Sequence, residues 1–286
     1  MENSSFYKVK IGKFEDNKYP KVIDEIRDFI LNNYIDKLKE RSSLHQYIVN
    51  TDKKLQQLVN EIRYSKNIID DICSQYKNCD ITSLTNTDEL YISHYNIDGG
   101  GDQGLYNKHY DGVLRIIKNA TVVRALIYIN SNDDFVVHFL DSNISYNFKN
   151  YEYGILDFNR EYHFVEGNYD EKMNYKDSRI LLKLNYLVCP KCSKVYTEFI
   201  IFINYIIFLI VKTSMEYSKS PQTPFQYFIG FFCNLFRAVN NVSVYLTILL
   251  VIFLLFFLNI LFYFIIKYIF YLKNNYKKII KTFKKY

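Results

Sequence analysis

Three side chains in the middle of the chain have the types and spacing of a metal site. His109 and Asp111 stand two residues apart in YNKHYDG, so in an extended segment both leave the same face. His163 follows 54 residues later, in DFNREYHFVEG. Two imidazoles and one carboxylate on one face of an ion form the donor set that leaves three positions open on non-haem Fe(II). A fourth residue, Arg179, opens RILLKLNYLV sixteen residues after His163. At the head of a strand its guanidinium can grip a carboxylate in bidentate fashion. Lys183, on the same face of that strand, is the weaker candidate for the role. An H-x-D pair arises often by chance, and the signal lies in the whole set. A zinc hydrolase on the same ligands fits less well, because no general base stands nearby in sequence.

The elements that must position these residues show in the hydrophobic rhythm. From Lys21 to about Lys77 the spacing is helical, with Val22, Ile26, Phe29, Ile30 and then Leu55, Leu58, Val59, Ile62, and Ser42-Ser43 predicts a break between two helices. From Glu89 onward the rhythm becomes short β-rich runs: LYISHY (90–95), TVVRALIYI (121–129), DFVVHFL (134–140), GILDF (154–158) and RILLKLNYLV (179–188). Clusters of Gly, Asn, Asp and Ser separate them. Helices followed by many short strands predict an α+β protein, a helical pack against an antiparallel sandwich or jelly roll. The run GGGDQG before His109 lacks the pattern of a phosphate loop and reads as a flexible lip. His94 and His138 read as structural, His138 as lining of the barrel.

Taken in order, Tyr95, a glycine-rich turn, Tyr106-x-x-His109-x-Asp111, the short strands, GILDFN, His163 and Arg179 resemble the Fe(II)/2-oxoglutarate-dependent dioxygenases of the prolyl 4-hydroxylase type. The resemblance covers residues 88–190. It implies a double-stranded β-helix with Fe(II) held by His109, Asp111 and His163. It implies 2-oxoglutarate bound by Arg179 with Tyr95 and Tyr106, O2 as oxidant and ascorbate as an optional reductant. The implied activity is hydroxylation of a C–H bond of a protein or peptide side chain, prolyl or lysyl. The sixteen residues from His163 to Arg179 exceed the family's usual gap, and 167–177 reads as an insertion. The alternative is a catalytically degenerate jelly roll with a structural or binding role.

Charge divides the chain. Of 36 Lys/Arg and 30 Asp/Glu, residues 191–286 hold 12 and 2, or +10, which leaves residues 1–190 with 24 against 28, or −4. A basic surface for nucleic acid is therefore not a feature of the first two thirds. Residues 242–266 contain no charge and predict a transmembrane helix, since about 20 apolar residues cross a bilayer core. Residues 195–211 are a possible second span, and the six lysines of 273–286 predict a cytosolic, membrane-proximal tail, with the side of the body undecided. The expected organisation is thus 1–87 helical, 88–190 dioxygenase-like, and 191–286 membrane-anchoring. The N-terminal stretch lacks the apolar run of a signal peptide. Cys73/Cys79 and Cys189/Cys192 could be disulfides or thiols, and CPKC is at most half of a zinc site.

Overall fold

The computed structural model describes residues 8–38, 43–76, 79–93, 108–112, 117, 120–131, 135–167, 178–219, 223–243 and single residues 245, 246, 249, 252, 253, 260, 263 and 267. Two compact units divide the chain, Met1–Gly230 and Phe231–Tyr286. Among the described residues the first unit holds ten strands.

The strands are β1 (Lys10–Lys13), β2 (Ser43–Tyr47), β3 (Ile81–Ser83), β4 (Glu89–Ser93), β5 (Thr121–Asn130), β6 (Phe135–Phe139), β7 (Ile144–Tyr146), β8 (Glu152–Asp157), β9 (His163–Gly167) and β10 (Arg179–Val188). A seven-stranded sheet runs β1-β8-β5-β10-β4-β2, with β3 also on β10, and a three-stranded sheet runs β7-β6-β9. Every strand pairing is antiparallel.

Alternation along the two longest strands sorts side chains to two faces. Val123, Ala125, Ile127 and Ile129 of β5, with Ile180, Leu182, Leu184, Tyr186 and Val188 of β10, join helices α1 (Lys18–Asn33), α2 (Lys53–Arg63) and α3 (Lys66–Cys73) in the larger core. The opposite face sends Leu126, Tyr128 and Leu181 toward Phe135, Val137, Phe139 and Val165 of the small sheet. With both faces covered, β5 and β10 are apolar almost throughout, whereas β6 alternates buried and half-buried positions. Asp52 caps α2 by accepting from the Lys54 N–H at 2.7 Å, and Leu55, Leu58, Val59 and Ile62 form its buried stripe.

Two expectations need correction. The stretch from Lys21 to Lys77 is interrupted by β2, an edge strand on β4 with Leu44 buried; five residues are too few for a period to show beside strong helical patterns. The α+β jelly roll followed by transmembrane helices is corrected to a mixed α/β fold with antiparallel sheets. Among the described residues no helix is long and apolar enough to cross a membrane.

Helix α4 (Lys194–Lys219) is long, but its uncharged, largely apolar part is the thirteen residues 199–211, between Glu198 and Lys212. That covers about 20 Å at 1.5 Å per residue, short of a bilayer core. One of its faces serves the body instead: Ile200 is buried with Leu84, Val122 and Leu187, and Phe208 meets the Tyr47 ring edge-on at 5.0 Å. Helix α5 spans Pro224–Val242. Most of the expected span 242–266 and all of the basic tail 273–286 lie outside the described residues. The expected membrane localisation is corrected on the described residues, among which no helix is long and apolar enough to cross a membrane.

Candidate metal centre

The turn after β8 delivers the second histidine. Asp157 accepts hydrogen bonds from the backbone N–H groups of Asn159 (3.0 Å) and Arg160 (3.1 Å) and, on its other oxygen, from Thr121 Oγ1 (2.6 Å) and the Arg160 guanidinium (3.0 Å). The buried Glu161 carboxylate, which accepts from the N–H groups of Asp141 and Ser142 and from Ser142 Oγ, ties the same turn to the loop after β6. The turn leads into β9, where His163 and Val165 face inward while Phe164 faces out.

The first histidine is placed by backbone pairing. His109 and His163 exchange both N–H to C=O bonds, each 3.0 Å, as an isolated antiparallel bridge. Three residues on, the Gly112 N–H donates to the Phe158 carbonyl at 3.0 Å. A side chain at 112 has no room: a Cβ would collide with Asn159 Oδ1 and stand 2.7 Å from the Phe158 ring. Glycine at this position lets the HYD segment lie flat on the β8–β9 turn, and that sets the depth of Asp111.

The result is a compact cluster in which one ligand atom from each of His109, Asp111 and His163 lies within 4.8 Å of the others. His109 Nε2 is 3.3 Å from Asp111 Oδ1, and His163 Nε2 is 3.8 Å from Oδ2. The imidazoles stand at 4.6 Å between centroids and 49° between planes. His163 Nδ1 donates to the Glu161 carbonyl at 3.0 Å, which leaves the lone pair on Nε2, facing the carboxylate. Two imidazole nitrogens and one carboxylate oxygen, all within 4.8 Å of one another, suit a divalent first-row ion.

Electrostatics keep the cluster in its ligating form. Burial alone would raise the Asp111 carboxyl, but Arg124 and the two imidazoles hold it well below the ordinary carboxylate range. Burial lowers His163, with Asp111 opposing, so that ring stays neutral. Arg124 NH1 donates to Asp111 Oδ2 at 2.7 Å, its Nε to Asn185 Oδ1 at 2.9 Å, and its guanidinium covers the Phe158 ring at 4.2 Å. Arg124, Asn185 and Gly112 were not singled out from sequence; an arginine inside an otherwise apolar strand run, TVVRALIYI, was the available signal.

Arg179 sits at the head of β10, 3% exposed, and is not part of the cluster. It donates to Tyr128 Oη at 3.3 Å and lies 5.4 Å from the rings of both Tyr128 and Phe135. Its Nε is buried without a hydrogen-bond partner, and among the described residues no carboxylate is within ion-pair reach. Lys183 differs: its ammonium faces Glu89 at 3.5 Å, and Glu89 also contacts His45. Tyr95 and Tyr106 lie outside the described residues, as does His94. His138 faces outward from the small sheet, bonded to Ser145 and Glu166, and does not line the interior as expected. Cys73 pairs with Cys79 and Cys189 with Cys192.

The fold and the site together define a two-sheet protein with a buried two-histidine, one-carboxylate cluster. No family profile matches the chain, and no curated protein is similar to it. Solved structures similar to it include a viral collagen prolyl hydroxylase from Paramecium Bursaria Chlorella virus-1, in a 2-oxoglutarate complex, at TM-score 0.40 and 9% identity over 65% of this chain and 97% of that one. They also include a prolyl 4-hydroxylase from Phytophthora capsici, at TM-score 0.35 and 13% identity over 72% and 77%. Both are prolyl hydroxylases.

Proposed function

We propose that the chain is an Fe(II)/2-oxoglutarate-dependent dioxygenase that hydroxylates a C–H bond. Within it His109, Asp111 and His163 hold the iron, and Arg179 binds the distal carboxylate of 2-oxoglutarate. Iron, 2-oxoglutarate and O2, with ascorbate as an optional reductant, supply the oxidising chemistry. The observation that carries the reading is the pairing of a two-imidazole, one-carboxylate cluster with a buried guanidinium whose partners among the described residues are uncharged. An isolated buried cation is costly, and an anionic ligand removes that cost.

The chain's own groups bind, orient and exclude water. The Glu161 carbonyl fixes the tautomer of His163. Tyr128 Oη holds the Arg179 fork, and the Phe135 ring walls its other side. Leu126, Leu181, Phe139 and Val165 keep the space between the sheets apolar, which strengthens the guanidinium–carboxylate contact. Lys183 is neutralised by Glu89, which supports Arg179 over Lys183 as the carboxylate clamp. For the substrate, the family resemblance supports a protein or peptide side chain, prolyl before lysyl.

The test is anaerobic addition of Fe(II) and then 2-oxoglutarate. The expected result is a weak visible charge-transfer band that His109→Ala abolishes and that decays on admitting O2 as succinate appears. A wild-type protein with no band, or a band equally strong in His109→Ala, overturns the proposal.

A further inference from the structure

We infer that Arg124 keeps a coordination position open at the metal centre by occupying the second oxygen of Asp111. The inference rests on reading the cluster as a metal site that takes 2-oxoglutarate. A cation 2.7 Å from a metal-binding carboxylate is at first sight misplaced, because it repels the incoming ion and draws charge from its ligand. Its placement is nevertheless built in. Arg124 is 8% exposed, its Nε is taken by Asn185 Oδ1, and its face is covered by Phe158. Asn185 is itself fastened: its Nδ2 donates to the Thr87 carbonyl at 2.8 Å and to Thr87 Oγ1 at 3.2 Å, and its backbone N–H donates to Asp88 at 2.8 Å. The guanidinium therefore has nowhere to swing, and NH1 stays on Oδ2.

The consequence follows from counting positions. A carboxylate with both oxygens free can bind an ion through both, and with two imidazoles it would fill four of six octahedral positions. Two would be left, and a 2-oxo acid that chelates through its keto and carboxylate oxygens would take both, with none for a further small molecule. With Oδ2 engaged by Arg124, Oδ1 is the oxygen left to the ion, 3.3 Å from His109 Nε2, and three positions stay open. Arg124 is thus a positioning residue whose effect is on what the metal can still accept, not on how tightly it is held.

The experiment measures two affinities for wild type, Arg124→Leu and Arg124→Lys: Mn(II) for the apoprotein, and nitric oxide for the protein loaded with Fe(II) and 2-oxoglutarate. We expect Arg124→Leu to bind Mn(II) at least as tightly as wild type, since a repulsive charge is gone and a second oxygen is released. Its nitric oxide affinity should fall about tenfold, the lower end of what an outer-shell partner of a metal ligand is worth. Arg124→Lys, which keeps a donor near Oδ2, should recover part of that loss and serves as the folded comparison if the leucine variant misfolds. Loss of Mn(II) and nitric oxide binding in parallel would mean ordinary ligand support and overturns the inference, as would unchanged nitric oxide affinity in both variants. A wild-type protein that binds no Mn(II), or binds Mn(II) but no 2-oxoglutarate, defeats the underlying reading instead.

Discussion

Replacing Arg179 by leucine should separate stability from binding. In the ligand-free protein the guanidinium is 3% exposed, makes one 3.3 Å hydrogen bond to Tyr128 Oη and leaves Nε unsatisfied. Leucine forfeits that bond, worth about 1.5 to 3 kcal/mol when one partner is charged, but relieves burial of an unpaired cation, a penalty of similar or greater size. The ligand-free protein should therefore lose no more than about 1 kcal/mol, a shift of a few degrees in Tm. A carboxylate docked on the fork would form two charge-assisted bonds in a dry site, and truncating one partner of such a buried pair costs about 3 to 5 kcal/mol. That corresponds to a loss of roughly 10² to 10³-fold in 2-oxoglutarate affinity. The assay is calorimetric titration of 2-oxoglutarate into Mn(II)-loaded wild type and Arg179→Leu, with thermal unfolding of both apoproteins. Undiminished affinity would refute the clamp. Retained affinity with a large loss of stability would show that Arg179 serves the fold, its charge answered by groups on the chain.

Two further predictions bear on the cluster. Gly112→Ala must push the HYD segment off the Phe158–Asn159 turn, at about 1 to 3 kcal/mol for overpacking, and should weaken Mn(II) binding, whereas an alanine at the half-buried Ser43 should leave it unchanged. With metal removed by chelator, stability should be nearly flat from about pH 6.5 to 4 and fall steeply below, as read from Tm against pH. Over the flat range two groups oppose. His163, lowered by burial, contributes stability that is lost as pH drops below its ordinary 6.5. Asp88, raised to about 7 by burial against the pull of Arg63, contributes stability that grows as pH drops toward its ordinary 3.8. Below that, Asp88 adds nothing more, while Asp111 and Glu89 are protonated through their depressed folded values and their contribution is lost. Burial opposes both depressions; Arg124 outweighs it at Asp111, and Lys183 and His45 do so at Glu89. A Tm that rises on acidification through pH 4 would refute this assignment.

The three residues of the cluster are legible because their spacing is local chemistry: two residues apart for His109 and Asp111, then an imidazole just after a strand-like run. Strand β10 coincides with RILLKLNYLV, since seven apolar or aromatic residues among ten, buried on both faces, leave a nearly continuous signal. Strand β9 was not assigned, because HFVEG is short, half-exposed and ends at an undescribed segment. The membrane expectation failed for a related reason. Hydropathy registers the apolar content of 199–211 but not that Ile200 and Phe208 lie against the body of the first unit. The partners of Asp111 leave little in the sequence beyond the one arginine inside the run TVVRALIYI. Arg124 comes from a different strand, and its holder Asn185 stands in a third segment, 61 residues further on.

Those non-local partners connect the cluster to the helical layer. Arg63, the last residue of α2, contacts Asp88 where both are almost wholly buried, and its carbonyl accepts from Tyr186 Oη at 2.8 Å. Asp88 accepts from the Asn185 N–H, Asn185 holds Arg124, and Arg124 holds Asp111. A chain of buried charges and amides of this kind is costly unless every link is made. Each link crosses between elements: α2 to the segment before β4, that segment to β10, β10 to β5, and β5 to the HYD segment. The helices that cover the large sheet therefore do more than bury Leu182 and Ile127. Through Arg63 and Asp88 they fix the strand that carries Asn185, and by that route the Asp111 carboxylate beside the two imidazoles.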